Sequence, residues 1–382
     1  MKRLAVVTTH PIQYYAPVFK LLHERGHIAI KVFYTWGKAG IEKYDPGFKK
    51  NIKWDMPLLE GYDYEWVLNT AANPGSHHFK GIVTPGLNKQ IADWSPDAIL
   101  VFGWAYRGHL SVMRYFKGKV PVYFRGDSTL LNVQSGVKSV IKKIFLKHVY
   151  SKIDYAFYVG TNNKAYFKAY GLRNDRLIFA PHAVDNQKFV ASHHKEANAL
   201  RKQLNLSDED ILILFAGKFE PAKNPLILIE TFKQINQPNA HLLFVGNGVL
   251  ESSLKTEAAG FNNIYFLEFQ NQSAMPALYQ AANLFCLPSV DETWGLGVNE
   301  AMAAGKAVLV SDKVGCAVDL VKNYINGAVF KSQSAASLRY ALLHLIANKD
   351  NLAKMGQQSQ KIIQPWNFTA IAQAIEAQLN NS

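Results

Sequence analysis

The chain has 382 residues, enough for one large or two medium domains with a substantial core and no need of disulfide or metal staples. At 48% hydrophobic and 19% charged residues it is composed like a globular protein, which excludes disorder, collagen and coiled coil. Its 42 Lys and Arg against 29 Asp and Glu give a net charge of +13, which points to an anionic partner: nucleic acid, an acidic membrane face or a phosphorylated substrate.

From the N-terminus, Lys2 and Arg3 precede only four apolar residues, Leu4–Val7, too few for a signal segment and suited to a first strand. Further apolar runs follow at Ile28–Phe33, Ala98–Phe102, Val120–Phe124, Tyr155–Val159 and Leu177–Phe179. The second half continues with Ile211–Ala216, Leu242–Val245, Ile264–Leu267, Leu284–Leu287, Ala307–Val310 and Ala328–Phe330. Runs that are continuous rather than alternating are what a parallel sheet covered on both faces requires, and helical stretches separate them. The expected fold class is α/β with two Rossmann-like, doubly wound domains, one ending near residue 190. The polar stretch Ser192–Ala199 reads as the linker between them. Such domains bind ligands outside the carboxyl ends of their strands, so two of them face to face would share a cleft.

Charge divides the same way. Residues 1–190 hold 27 Lys/Arg and 13 Asp/Glu, whereas residues 191–382 hold 15 and 16, so a basic domain joined to a neutral one is expected. No apolar run is long enough to predict a membrane span. Cys286 and Cys316 stand far apart with no metal-ligand spacing, which suits a reducing cytosol.

Two motifs of the second half follow strands. After Ile211–Ala216 comes Gly217-Lys218-Phe219-Glu220-Pro221-Ala222-Lys223-Asn224-Pro225, whose two lysines either reach one diphosphate or are solvated. After Leu284–Leu287 comes a loop with Glu292, Gly295, Leu296 and Gly297, running into a helix that begins near Gly297–Asn299 and carries Glu300. Free N–H groups at a helix start suit phosphate, and carboxylates on either side accept from sugar hydroxyls. The alternative is that Glu300 complements the helix dipole and Glu292 faces water.

These motifs, with Pro181-His182-Ala183-Val184-Asp185 and the Ala-Met-Ala-Ala-Gly after Glu300, resemble the retaining family-4 glycosyltransferases of GT-B architecture. The resemblance is dense over about residues 150–330. It implies an acceptor-binding domain at 1–190, a nucleotide-sugar-binding domain at 191–364 and a helix at 365–382 crossing back to the first. It implies catalytic roles for Glu292 beside the transferred sugar and for Lys218 and Lys223 on the diphosphate. Glu300 would hold the ribose, and Gly295, Leu296 and Gly297 would offer the helix start. Thr293 departs from the usual Gly or Pro after the first Glu, and Lys218 replaces the usual Arg, which leaves donor identity open. No cofactor and no metal are expected: Asp208-Glu209-Asp210 precedes its strand and so lies at the wrong sheet edge.

Relatives carry a Gly-rich turn after strand one, where this chain has Thr9-His10-Pro11. His10 suits either an acceptor contact or a helix cap. Many relatives also place a His where this chain reads Arg125-Gly126-Asp127. Arg125 suits phosphate, and Asp127 suits an acceptor hydroxyl, a pair with Arg125 or a helix cap. His109 and His182 are further cleft candidates. Residues 136–153 space Val137, Val140, Ile141, Ile144, Phe145 and Val149 by three and four among five lysines, either a basic helix on a membrane surface or a helix packed on the sheet.

The expected activity is transfer of a sugar from a nucleotide-diphosphate-sugar donor to an acceptor hydroxyl. The resemblance implies bacterial surface polysaccharide or lipopolysaccharide synthesis. The acceptor is then an anionic, lipid-linked saccharide, with cytoplasmic location, peripheral contact with an anionic membrane and no nucleic acid. A GT-B-like nucleotide-sugar epimerase, or a basic membrane- or nucleic-acid-binding protein with an inactive site, are the rival readings.

Overall fold

The computed structural model describes residues 1–40, 43–45, 47, 50–133, 136–235 and 237–381. The chain forms two compact units, one of Met1–Lys43, Met56–His182 and Phe368–Ser382, the other of Tyr44–Asp55 and Ala183–Asn367. In chain order the first strands are β1 (Arg3–Thr8), β2 (Ala29–Tyr34), β3 (Lys43–Asp45), β4 (Lys50–Ile52), β5 (Tyr64–Trp66), β6 (Ala98–Phe102), β7 (Val122–Arg125), β8 (Tyr155–Tyr158) and β9 (Leu177–Phe179). A sheet of order β5-β2-β1-β6-β7-β8-β9 organises the first unit, and β3 pairs with β4. Every described pairing in that sheet is parallel. The first core gathers Val7, Phe33, Val101, Phe124, Leu146 and Phe167.

The second unit continues with β10 (Ile211–Ala216), β11 (Ala240–Val245), β12 (Ile264–Leu267), β13 (Leu284–Leu287), β14 (Ala307–Ser311) and β15 (Gly327–Phe330). Their order is β12-β11-β10-β13-β14-β15, again parallel throughout. Both sheets are doubly wound, with strand order reversing between β1 and β6 in one and between β10 and β13 in the other. Ile211-Leu212-Ile213-Leu214-Phe215 is buried on both faces, each side chain contributing roughly 1.5–3 kcal/mol by burial, so a continuous apolar run is the stable choice here.

The last helix, Phe368–Asn380, packs within the first unit against helix Ala16–Arg25. Arg25 donates from Nε and Nη2 to the two carboxylate oxygens of Glu376 at 2.8 Å each, and Lys2 Nζ donates to the Leu379 carbonyl at 2.9 Å. Burial pushes the Glu376 carboxyl up, but Arg25 and His27 outweigh it and hold the group below the usual carboxylate range.

The polar stretch 192–199 is not the linker. Helix His194–Gln203 covers most of it, buries Ala197 and packs on helix Met275–Ala281 inside the second unit. The backbone N–H of His193 donates to Gln280 Oε1 at 2.9 Å, tying the helix start to the same element. The units meet in sequence at His182 and Ala183 instead. A helix needs only one narrow apolar stripe, so a polar sequence with one seated alanine still packs.

Candidate functional site

Strand-order reversal sends the connections after β10 and β13 to opposite faces of the second sheet, so the loops leaving these neighbouring strands part at their carboxyl ends. The predicted donor residues emerge there. Gly217 ends β10 at φ 156°, and Phe219 N–H donates to the Asn247 carbonyl at 2.9 Å, which fixes the backbone on either side of Lys218. A Cβ on Gly246 would strike the Gly217 carbonyl oxygen, and one on Gly248 would strike the backbone of Phe219. The Gly246-Asn247-Gly248 turn after β11 is therefore part of the construction, signalled in the sequence by two glycines at a strand end. Lys218 itself lies under Gly47, whose Cβ would come within 2.8 Å of the ammonium nitrogen.

The loop after β13 is clamped to the loop after β14. Gly315 N–H donates to the Glu292 carbonyl at 3.0 Å and Cys316 N–H to the Trp294 carbonyl at 3.0 Å, while a Cβ on Gly315 would strike the Thr293 carbonyl. Trp294 is buried, donates from its indole N–H to Asn299 Oδ1 at 2.9 Å and packs on Trp366 with ring centroids 5.3 Å apart. Helix Leu296–Ala303 then starts at Leu296, earlier than the spacing suggested, because Gly295 caps it at φ 97° and ψ 63°. A side chain at Gly295 would also meet Val314 at 3.0 Å and Leu287 at 3.1 Å, so backbone twist and space both call for glycine. Gly297 leaves room for Tyr279 and Phe285, whose atoms would lie 3.2 and 3.1 Å from its Cβ.

The two lysines part company. Lys223 donates to Glu292 Oε2 in a partly buried ion pair, so one predicted diphosphate ligand and the predicted sugar-side carboxylate are in direct contact. Glu300 is buried and accepts from the Tyr279 hydroxyl at 2.9 Å. Lys188, on the short helix Asn186–Val190, lies in the field of Glu300: burial lowers its ammonium pKa, and Glu300, Asp55 and Asp185 oppose that fall. Tyr279 and Lys188 were not predicted, since a tyrosine inside Met275–Ala281 and a lysine three residues past Asp185 carry no local signal.

In the first unit the candidates divide by burial and by the partners they meet. Arg125 is buried, and its guanidinium donates to the carbonyls of Ala180 and Pro181 at 2.8 Å each. It is a backbone clamp for the segment after β9, so the guanidinium that suited a phosphate in the cleft is spent on two carbonyls. His109 is likewise structural. It is fully buried, donates from Nδ1 to the Phe102 and Gly103 carbonyls at 3.0 Å, and holds Nε2 2.9 Å from Thr35 Oγ1. Burial lowers its pKa to about 4, so the ring is neutral at physiological pH. His10 does not cap the next helix, which begins at Ala16 with Tyr15 in the N-cap position. Instead its Nδ1 lies 2.8 Å from Thr9 Oγ1 and its ring meets Trp36 edge-on at 5.4 Å.

Asp127 and His182 come together: Nε2 lies 3.8 Å from Oδ2, with the imidazole buried and the carboxylate about half exposed. Tyr15 stacks on His182 at 6.1 Å. Burial pushes the Tyr15 phenol up to about 12, Asp127 adds to the rise and Arg125 opposes it. Beside this cluster a cavity of about 180 Å³ opens at the carboxyl ends of β6 and β7, lined by Trp104, Tyr106, Asp127, Ser128 and Tyr150 among others. An aromatic wall facing a carboxylate and a hydroxyl suits a sugar ring, which offers apolar faces and hydroxyl edges.

Residues 196–362 match the family model described as glycosyl transferases group 1. The lipopolysaccharide 1,2-N-acetylglucosaminetransferase of Salmonella typhimurium is 26% identical over 222 residues, 54% of this chain and 58% of that protein. The UDP-Gal:alpha-D-GlcNAc-diphosphoundecaprenol alpha-1,3-galactosyltransferase of Escherichia coli is 29% identical over 184 residues, 46% of each chain. The chain thus spans about half the length of these curated relatives. The solved structure of Anabaena HepE in complex with UDP superposes with a TM-score of 0.75 over 100% of both chains at 19% identity, and so shares the α/β GT-B fold.

Proposed function

From the match of residues 196–362 to the family model of glycosyl transferases group 1, we propose that the chain is a retaining glycosyltransferase that moves a sugar from a nucleotide-diphosphate sugar to an acceptor hydroxyl. The observation that carries this reading is the pairing of Lys223 with Glu292 beside the start of helix Leu296–Ala303, with Glu300 buried one turn further on. A diphosphate seated at that helix start takes Lys223 and Lys218 as counter-charges, with backbone N–H groups of Gly295 and Leu296 as donors. As the glycosidic bond breaks, negative charge grows on the leaving diphosphate, and these groups stabilise it without a metal. Glu300, oriented by Tyr279 and electrostatically supported by Lys188, accepts from the ribose hydroxyls. Release of Lys223 to the diphosphate frees Glu292 for the transferred sugar.

The second unit is thus the donor half and the first unit the acceptor half, with Asp127, His182 and His10 as its polar groups. The acceptor is an anionic, lipid-linked saccharide of a bacterial surface polysaccharide or lipopolysaccharide. Support comes from the relatives, one named for a lipopolysaccharide and one for a diphosphoundecaprenol substrate, and from the basic excess of the first half. The enzyme works in the cytoplasm in peripheral contact with an anionic membrane.

A calorimetric titration with UDP, GDP and ADP, followed by their sugars, tests the donor assignment. Binding of one nucleotide, with nucleotide release that depends on an added acceptor, is expected. Release at the same rate without acceptor, with conversion of the sugar to its epimer, would overturn transfer in favour of epimerisation.

A further inference from the structure

Helix Val137–Tyr150 has two apolar faces. Leu146, Val149 and Tyr150 are buried in the first core, which is all that a surface helix needs to hold its place. The side chains of Val137 and Lys138 lie outside the described residues, but the rest of the sequence-level stripe points away from the sheet. Val140 is 58% exposed, Ile141 62%, Ile144 66% and Phe145 40%. At 100° per residue these form one row roughly opposite the buried face. The loop leading in adds exposed Leu130 and Val133. Four large apolar side chains in a row on the outside of a helix are a binding surface rather than scattered exposure.

Lysines border the row. By the same helical angles Lys143 and Lys147 flank it on one side and Lys142 on the other, and no Asp or Glu occurs between Gly136 and Ile153. We propose that this helix is a seat on an anionic lipid bilayer, with Val140, Ile141, Ile144 and Phe145 entering the interface while Lys142, Lys143 and Lys147 hold anionic headgroups. Charge decides the occupant. A second copy docked by the same face would set lysine rows against each other, whereas an anionic leaflet matches them, and long lysine stems reach headgroups while their row-mates sit deeper. Among the described residues no helix is long and apolar enough to cross a membrane, so attachment here is to one leaflet. A lipid-borne acceptor gives such a seat its purpose, and in that sense the proposal rests on the function proposed for the chain. Phe145 also packs on Trp104 at 5.6 Å, so the row ends at the rim of the aromatic cavity.

The test is co-sedimentation of the full chain with phosphatidylcholine vesicles, with and without phosphatidylglycerol. Binding only to the anionic vesicles, weakened by salt, is expected. The double variant Ile141→Ser/Ile144→Ser should lose vesicle affinity about tenfold or more with every lysine intact. Reversal of Lys142, Lys143 and Lys147 to Glu should lose it by about fivefold per lysine or more. All these positions are exposed, so the melting temperature of the variants, and their affinity for whichever of UDP, GDP or ADP the parent chain binds, should match the parent chain. Equal binding to neutral and anionic vesicles, or undiminished binding by the serine variant, overturns the proposal, as does a dimer that the serine variant dissolves. Vesicle binding without nucleotide binding would leave the seat standing and remove the transferase reading; nucleotide binding without vesicle binding does the reverse.

Discussion

Glu300→Gln separates a ribose ligand from a helix-dipole residue. The change keeps shape and keeps an acceptor for the Tyr279 hydroxyl, now 2.9 Å from Oε2, but removes the negative charge. A hydrogen bond to a charged group is worth about 1.5–3 kcal/mol against about 0.5–1.5 for a neutral one, so each ribose hydroxyl loses roughly 1–1.5 kcal/mol. Two such bonds lose about 2–3 kcal/mol, or roughly 30- to 150-fold in the donor dissociation constant. If Glu300 served only the dipole of Leu296–Ala303, the loss would fall on stability, at about 0.3–1 kcal/mol, and leave nucleotide affinity alone. Titration calorimetry with the matching nucleoside diphosphate reads the first quantity and thermal unfolding the second. A variant whose melting point drops while its nucleotide Kd stays within about threefold refutes the ribose role.

Other substitutions follow from the same geometry. Lys223→Ala strips the leaving diphosphate of a counter-charge and leaves Glu292 without its ion-pair partner, so kcat should fall by roughly 100- to 1,000-fold. Glu292→Ala should reduce kcat while donor affinity in a titration changes little; equal losses in both would place it on the nucleotide instead. Arg125→Met should lower unfolding free energy by about 2–5 kcal/mol in urea melts, because the Ala180 and Pro181 carbonyls lose their donors while the core keeps its volume. Unchanged stability would return Arg125 to the list of ligand-binding groups. His109 supplies a pH dependence. Its folded pKa of about 4 lies below the ordinary 6.5, so the unfolded chain binds the extra proton between those values. Stability therefore rises with pH across that window, by up to about 3 kcal/mol, and is fully present above it. A His109→Gln variant should show a flatter curve between pH 4 and 6.5 in denaturant melts, and an unaltered slope would contradict the buried neutral ring.

Most strands were legible because a strand covered on both faces must be apolar throughout, as Ile211–Phe215 is. Strand β5 was not: it has three residues at the sheet edge, and its Glu65 pairs with Lys31 at 2.6 Å instead of packing. The residues proposed for the donor stand out in local grammar, since glycines at strand ends and a carboxylate inside a helix start are adjacent in sequence. Tyr279 reaches Glu300 from another helix, and only folding brings them together. Arg125 misled for a physical reason: a cation at a strand end looks alike whether it awaits a phosphate or satisfies two carbonyls, and burial alone separates the cases. The basic helix was half legible, as periodicity shows that apolar positions recur but not which of two faces the sheet covers.

The short segment Tyr44–Asp55 travels with the second unit although it is encoded in the first half. Asn271 Nδ2 donates to the Lys53 carbonyl at 2.7 Å, the backbone N–H of Ser273 donates to Asp55, and Gly47 covers Lys218. With Phe368–Ser382 belonging to the opposite unit, the chain changes allegiance at four points rather than one. Gene shuffling that exchanges halves at residue 182 would therefore trade most of the first unit together with a piece of the second and strip Glu376 from Arg25. Recombination that preserves both units must cut at all four points, so new specificities are more readily reached by changing loops in place than by swapping blocks.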